Sequence, residues 1–446
     1  MVAISQAVEV LIVGAGLSGL RAATDIHEAG LSYVVLEAMD RVGGKTLSVP
    51  SSSNNSAPLD LGAAWINNST QSEIFALSKK FGFDLIVQRT EGNSLFQTAE
   101  GDASDDQLAE VQQLIDIINK YVERSDLETP HLGPDAEELD ALTALEFVKE
   151  NLGTDVTELA ITGFVRAILG VEADELSALY LVDYIKSGTG LANLAADTAD
   201  GNQQFSINLA KQLKRKSVKL STAVTKITQT DDGCIVETNK GTRYSAKKVI
   251  ISVPTSFYSS IEFVPELPDA KKELGETTKL GYWSKTILVF EEPWWRAANL
   301  SGAFLSVNGP IIFTRDTSVE EDDQYSITTI QIGQPGRDWS ELDAEDRRQA
   351  VLEQFRTAFG TVVNDIPEPI NIIEKEWSKD PWALGAPSPV MVPGIMTKDA
   401  GKSIRDPVGN LHFIGTETSH VWKGYLEGAV RSGVRGANEV ITALED

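Results

Sequence analysis

The stretch that most restricts this chain is its first βαβ unit. Val8 to Val13 (VEVLIV) is a short, β-branched run closed by glycine, the pattern of a buried strand. Gly14-Ala15-Gly16-Leu17-Ser18-Gly19 follows at once, and a helical stripe of Leu17, Leu20, Ala23, Ile26 and Ala29 runs on until Gly30 stops it. Ser32 to Leu36 reads as a second strand, with Glu37 at its end. A G-x-G-x-x-G alone says little. Set between a strand and a helix, with an acid about 20 residues further on, it is a dinucleotide-binding fingerprint. Gly14 allows the tight turn, Gly16 lets backbone approach a pyrophosphate, and Gly19 lets helix and strand pack closely. Ser18 lies in the first helical turn, where unpaired N–H groups and the positive end of the helix dipole meet phosphate. Glu37 can accept hydrogen bonds from the adenosine ribose hydroxyls and disfavours a 2′-phosphate, which argues against NADP.

Arg41-Val42-Gly43-Gly44-Lys45-Thr46 brings a second glycine pair soon after the acid, and a second close approach suits an extended FAD better than NAD. The segment ends like a P-loop, but that motif needs glycine at position 39, which is Met39, and a strand leading directly into it. Glu37 to Thr46 instead resembles the second FAD motif of the flavin amine oxidase (monoamine oxidase) family. The resemblance continues through Asp60-Leu61-Gly62-Ala63-Ala64-Trp65, a small-residue turn beside the flavin, and through Val224 to Ile227 and Lys248 to Pro254. It closes with Phe413-Ile414-Gly415-Thr416-Glu417-Thr418 and Trp422 to Val430. It implies that Val224 covers the adenine, that Glu417 approaches the ribityl–phosphate region, and that the Leu426 N–H lies at flavin O2. Gly44, Lys45, Gly62, Ala63, Ala64, Trp65, Trp377 and Gly415 complete the implied FAD contacts.

The same resemblance assigns the chemistry. Lys285 heads an otherwise apolar strand, where a lysine is costly unless solvated or paired; it corresponds to the family lysine that holds a water near flavin N5 and assists oxygen reduction. Tyr425 corresponds to one wall of an aromatic cage on the substrate face. Counting back from Val392-Pro393-Gly394-Ile395-Met396, the other wall falls on Pro387, with Trp382 as a candidate replacement. Ala386 stands where monoamine oxidases proper have the cysteine that bonds to flavin, and Cys234 lies elsewhere, in an expected surface strand. FAD is therefore expected to be non-covalent. Met39 and Lys45 stand where the family often has arginine. The implied reaction is oxidation of a neutral primary amine by FAD, then hydrolysis of the imine to aldehyde or ketone and ammonia, with O2 giving hydrogen peroxide. Polyamine and L-amino-acid oxidation are alternatives on the same fold; the latter needs a cation in the cap, for which Arg166 and Arg296 are candidates. A fungal-type soluble member acting on a long-chain amine, a fumonisin-type amine oxidase among them, is a further form the resemblance allows.

The expected fold is α/β: a Rossmann-like FAD-binding domain of residues 1–80, 205–262 and 400–446, with an α+β substrate-binding cap of residues 81–204 and 263–399. In the cap, Ser104-Asp105-Asp106-Gln107 is a capping box for a helix to Arg124 with Leu108, Val111, Ile115, Ile118 and Val122 inward. Leu139 to Asn151 reads as one helix, Asn308-Gly309 as a hairpin turn, and Tyr325 to Ile332 as a strand. With 446 residues, two packed domains are the default. The net charge of −26 repels nucleic acid and anionic lipid; it keeps a protein soluble and would favour a cationic small molecule. One cysteine excludes an internal disulfide, and four dispersed histidines argue against a metal site. Without a membrane-length apolar run, signal peptide or peroxisomal tripeptide, the expected location is intracellular and cytoplasmic. A homodimer is compatible with all of this. A non-catalytic FAD scaffold would be expected to lack Lys285 or Tyr425. A carotenoid or porphyrinogen oxidoreductase would be expected to carry a membrane-docking apolar segment.

Overall fold

The computed structural model describes residues 4–52, 54–97, 104–191, 198–199 and 202–445. The extreme ends of the chain, on which the targeting readings partly rest, lie outside them. An eight-stranded mixed sheet is built around the parallel pair Ile4–Val13 and Arg243–Ile251. Tyr33–Leu36 and Val218–Lys219 extend it in parallel on one side. Gly233–Thr238 and Val224–Thr230 extend it as antiparallel strands on the other, and Leu411–Phe413 joins in parallel at the end of Arg243–Ile251. The fingerprint strand is thus central, and Val10, Leu11 and Ile12 are fully buried, as a β-branched run needs. The mixed α/β architecture is the expected one.

Helix Leu17–Glu28 follows the glycine turn and packs against the closing helix Leu426–Glu445. Its buried stripe ends at Ile26; Ala29 is exposed, because Gly30 turns the chain out to solvent at a left-handed φ of 78°. Cys234 does not sit on a surface strand. It is 2% exposed on Gly233–Thr238, in the core beneath the sheet with Val236, Tyr244 and Val249, and burial pushes its thiol up to about 12.

A second, six-stranded sheet runs Asn371–Glu376, Trp283–Phe290, Tyr325–Ile332, Phe313–Asp316, Leu300–Ser306 and Asn93–Gln97. Tyr325–Ile332 has the expected bounds, and the hairpin at Gly309 joins Leu300–Ser306 to Phe313–Asp316 through a longer loop than a two-residue turn. Helices fill the remainder of this half. Ser104 and Gln107 form the expected capping box for Asp105–Arg124, but the buried face is Leu114, Ile118 and Val122. Leu108 is 56% exposed, since the first turns of that helix project beyond the core. Leu139 to Asn151 is not one helix: Ala136–Ala141 ends, and Thr143 starts Ala144–Leu152 with its own capping box to Glu146. Among the described residues no helix is long and apolar enough to cross a membrane, and no cluster of His, Cys, Asp and Glu could hold a metal.

Candidate active site

One cavity of about 760 Å³ runs from the glycine turn of the first sheet to the second sheet. Its first end is backbone. Gly43 N–H donates to the Ala15 carbonyl at 2.9 Å, tying the two glycine turns together. A Cβ on Gly16 would meet no atom within 4 Å, and one on Gly44 would meet only Gly16 Cα, so both turns open onto empty space of the kind a pyrophosphate fills. Gly19 is the one expected contact that does not line the cavity. It serves packing, because a Cβ there would lie 2.2 Å from the Gly14 carbonyl. Ser18 Oγ meets Ser252 Oγ at 2.8 Å across the helix start. Glu37 is buried, and its two oxygens accept the Ala15 and Met39 N–H groups at 2.6 and 2.8 Å. Burial raises its carboxyl above the ordinary value despite these bonds. Val224 lies on the wall of this end.

The middle of the cavity collects the side chains taken from distant segments. Gly62, Ala63, Ala64 and Trp65 form one wall. Lys285, 2% exposed, donates from Nζ to the Asp60 and Gly62 carbonyls at 3.0 and 2.6 Å and lies 4.8 Å from the Trp65 ring centre. The cost expected for a buried lysine is thus offset by two carbonyls and by the charge of the Asp60 carboxylate, and desolvation still lowers Nζ to about 8. Lys45 donates to the Pro387 carbonyl at 3.1 Å; burial lowers it too to about 8, against the attraction of Glu417. Glu417 accepts the Thr255 N–H at 3.2 Å, and burial raises its carboxyl. Trp377 donates Nε1–H to the Leu61 carbonyl at 2.9 Å. Gly415 and Leu426 line the cavity where the closing helix begins, so the helix N-terminus faces inward.

The far end is largely apolar. Tyr425 and Pro387 are on its wall together with Trp382, which is 44% exposed. Tyr184 was not foreseen from sequence. It packs 6.0 Å from Tyr425 at 36°, is hydrogen bonded to it, and has its phenol pushed well up by burial. Trp422 packs edge-on behind Tyr425 at 4.8 Å. Ser388 Oγ, on the same wall, is buried without a protein partner. Phe164, Ile168, Trp283, Ile312 and Phe313 enclose the space, and Arg315 is beside them. Neither Arg166 nor Arg296 lines this cavity. Arg166 is bound by Glu172 at 2.7 Å, and Arg296 by Asp316 at 2.8 Å and by Glu320. Ala386 lines the cavity, whereas Cys234 does not.

The donor set fits a dinucleotide with a flat ring at its end: paired glycine turns, an acid at the strand end, a helix N-terminus and a lysine beside small residues. Comparison with known proteins agrees. The family model for flavin containing amine oxidoreductases matches residues 17–441. A probable flavin-containing monoamine oxidase A of Dictyostelium discoideum is 30% identical, over 97% of this chain and 97% of its own. A putrescine oxidase solved with putrescine superposes with a TM-score of 0.91 at 27% identity, over 98% of this chain and 99% of its own. Cyclohexylamine oxidase from Brevibacterium oxydans IH-35A does so at 0.90 and 27%, over 98% and 100%. This chain belongs to the flavin containing amine oxidoreductase family and is a flavin-dependent amine oxidase.

Proposed function

We propose that the chain oxidises a primary amine carried on an apolar body, with FAD and O2, to an aldehyde or ketone, ammonia and hydrogen peroxide. The observation that carries this reading is one cavity that joins a backbone nucleotide cradle to an apolar chamber, with Lys285 and Tyr425 both on its wall. In it, residues 1–80, 205–262 and 400–446 are the FAD-binding domain and the remainder is the cap. Gly14, Gly16, Ser18, Glu37 and Val224 hold the nucleotide. Gly44, Lys45, Gly62 to Trp65, Trp377, Gly415, Glu417 and Leu426 would surround the ribityl chain and ring. When bound, FAD supplies the two-electron acceptor that removes hydrogen from the amine and passes the electrons to O2.

The protein's own groups have separable tasks. The apolar walls favour the neutral amine, since desolvation penalises the ammonium form. Tyr425, braced by Tyr184 and Trp422, orients the nitrogen and excludes water. The N–H groups at the start of the closing helix offer positive potential to a negatively charged ring. With FAD bound, Lys285 Nζ would be a proton source for the ring below about pH 8. A polyamine would need an acid for its second ammonium. Of the acids among the described residues that line the cavity, Glu37 is at the cradle and Glu417 beside Lys45, and neither is in the chamber. Ala386, on the cavity wall, has only a methyl group, so FAD would be held without a covalent bond there.

The test is purification of the yellow protein, a screen of alkylamines for peroxide release, and acid precipitation. The expected result is peroxide with bleaching of the flavin, and flavin in the acid supernatant. Absence of bleaching with every amine would overturn the reaction. Flavin retained in the pellet would overturn non-covalent attachment.

A further inference from the structure

We propose that a second cavity, on the far side of Lys285 from the amine chamber, is a water inlet through which solvent returns to this lysine the proton that it gives up to O2. The proposal rests on the oxidase reading above and adds a separate route to the same site.

The partition between the two spaces is one side chain thick. The second cavity, of about 420 Å³, shares only Ala64 and Lys285 with the first among the described residues. Lys285 Nζ bonds across the boundary. Of its two carbonyl partners, Asp60 belongs to the wall of the second cavity and Gly62 to the wall of the first, at 3.0 and 2.6 Å. The boundary is crossed again where Trp65 Nε1, from the first wall, donates to Gln88 Oε1, on the second, at 3.0 Å. Gln88 Nε2 donates to the Asp316 carbonyl at 2.8 Å, which ties the 86–91 segment to the end of strand Phe313–Asp316 on the facing wall. Along Trp283–Phe290, Lys285 and Ile287 share one face, and Thr328 pairs with Ile287 across the sheet. These three residues floor the second cavity, which reaches solvent at the exposed Val87, Glu91 and Glu320.

The chemistry calls for such a route. Reduction of O2 to hydrogen peroxide takes a hydride equivalent, which the amine has given up, and one proton. Lys285 Nζ can give that proton once. It is then neutral and must take another from water before the next turnover. The first cavity is poorly made for this, because FAD would fill the cradle and the amine the chamber, whose walls of Phe164, Ile168 and Ile312 offer water no partner. A buried water needs about three polar partners to be held. The second cavity has them: Gln88, Thr317, Ser318 and Thr328 bring polar side chains beside Leu59 and Ile287. Proton return and amine entry would therefore use opposite sides of one lysine.

The test uses the FAD-loaded protein and its single cysteine. Cys234 is 2% exposed with its thiol pushed up to about 12, so wild type should not react with methanethiosulfonate ethylammonium, a small cationic thiol reagent. Lys285→Cys puts a thiol at the partition and frees the space of the lysine stem. It is expected to be labelled, read by protein mass. Most of that labelling should be lost when Ser318→Trp or Thr90→Trp is added, since each places a ring in the second cavity from one of its walls. It should persist with Ser318→Ala, which loses the same hydroxyl and leaves the space. It should also persist with Gly163→Leu, which fills the amine chamber instead. In the chain that keeps Lys285, reduced with dithionite and mixed with O2, Ser318→Trp should slow flavin reoxidation about tenfold, and anaerobic reduction by octylamine should be unchanged. No labelling of Lys285→Cys, or equal labelling with and without both plugs, would overturn the inlet. Unchanged reoxidation in a plugged chain would overturn its part in proton return. If no alkylamine bleaches the flavin, the amine reading falls, while labelling and reoxidation after dithionite still decide the inlet.

Discussion

The two ends of the cavity are made by different means. The nucleotide end is backbone: two glycine turns tied by a hydrogen bond, a strand end and helix starts. The amine end is side chain: rings and aliphatic groups delivered by two helices, two loops and the face of a second sheet. Backbone geometry tolerates little, because an added atom displaces a neighbouring main chain. A side-chain wall can be re-cut at modest cost in stability, which is how one family fold takes different amines. The comparison therefore predicts large, all-or-none effects at the first end and graded, substrate-dependent effects at the second.

The largest effect is expected from Gly19→Ala. Its Cβ would stand 2.2 Å from the Gly14 carbonyl and 3.0 Å from Ser252 Oγ, and neither the turn nor the helix start can move without losing the cradle. We expect a cost of about 3 kcal/mol or more and protein isolated without flavin, read from the ratio of 450 to 280 nm absorbance and from thermal unfolding. Full flavin content at unchanged Tm would break the comparison at its strong end.

Next comes Lys285→Met, at the junction of the two regions. Reoxidation of the reduced enzyme by O2 should slow about a hundredfold, the scale of a lost general acid, with a smaller change in anaerobic reduction by amine. In wild type the reoxidation rate should fall as pH rises through about 8, where Lys285 gives up its proton, and this ionisation should vanish in the variant while persisting in Lys45→Met. The stability sign follows from the same cause. Burial disfavours the charged lysine, so between about 8 and about 10.4 the unfolded chain holds the extra proton. Wild type should gain stability relative to Lys285→Met as pH rises across that window. A slowed reduction with normal reoxidation would remove the proposed role.

Legibility in the sequence divides along the same line. Gly14, Gly16 and Glu37 could be read because a cradle made of backbone needs glycine and acid at fixed offsets within one βαβ unit, and such offsets survive in a linear string. Trp377, Glu417 and Leu426 were found through motif resemblance, and all line the cavity. Tyr184, Phe164, Phe313 and Arg315 were not found. Each is ordinary in its own segment and meets the others only once the second sheet has its register. The alternation of Phe313 and Arg315 against Thr314 and Asp316 was the available signal, but a four-residue strand does not reveal which face is enclosed. Arg166 and Arg296, the candidate cap cations, are both held by acids. The misreadings elsewhere have similar roots. Thr143 and Glu146 cap a new helix inside a run that looked continuous, and Cys234 occupies a strand whose surface the packing residues Tyr244 and Phe263 cover.

A smaller effect is expected at Tyr425. Its ring packs on Trp422 and Tyr184, so Tyr425→Phe should keep the wall, whereas Tyr425→Ala should lower kcat/KM for alkylamines about tenfold, in proportion to lost ring contacts. Retained flavin content would show that the loss belongs to the amine end. A drop in flavin content as large as that of Gly19→Ala would mean that the two ends are one mechanical unit.

The smallest and most discriminating change is Gly163→Ala. Gly163 lies inside the helix Asp155–Leu169 and lines the chamber, and a Cβ there would meet nothing within 4 Å. Alanine is the better helix former by about 1 kcal/mol, so the variant should be as stable as wild type or slightly more so, with its flavin unchanged. The added methyl group projects into the space where the amine's body is held. KM should therefore rise several-fold for branched or bulky amines and change little for slender ones, measured by peroxide release across a series of graded width. Two glycines, each given one carbon atom, would then fail in opposite ways: at position 19 the main chain has nowhere to go, and at position 163 only the substrate does. If Gly163→Ala lost flavin or stability, the amine end would prove as intolerant as the cradle, and freedom to re-cut the wall could not account for substrate choice.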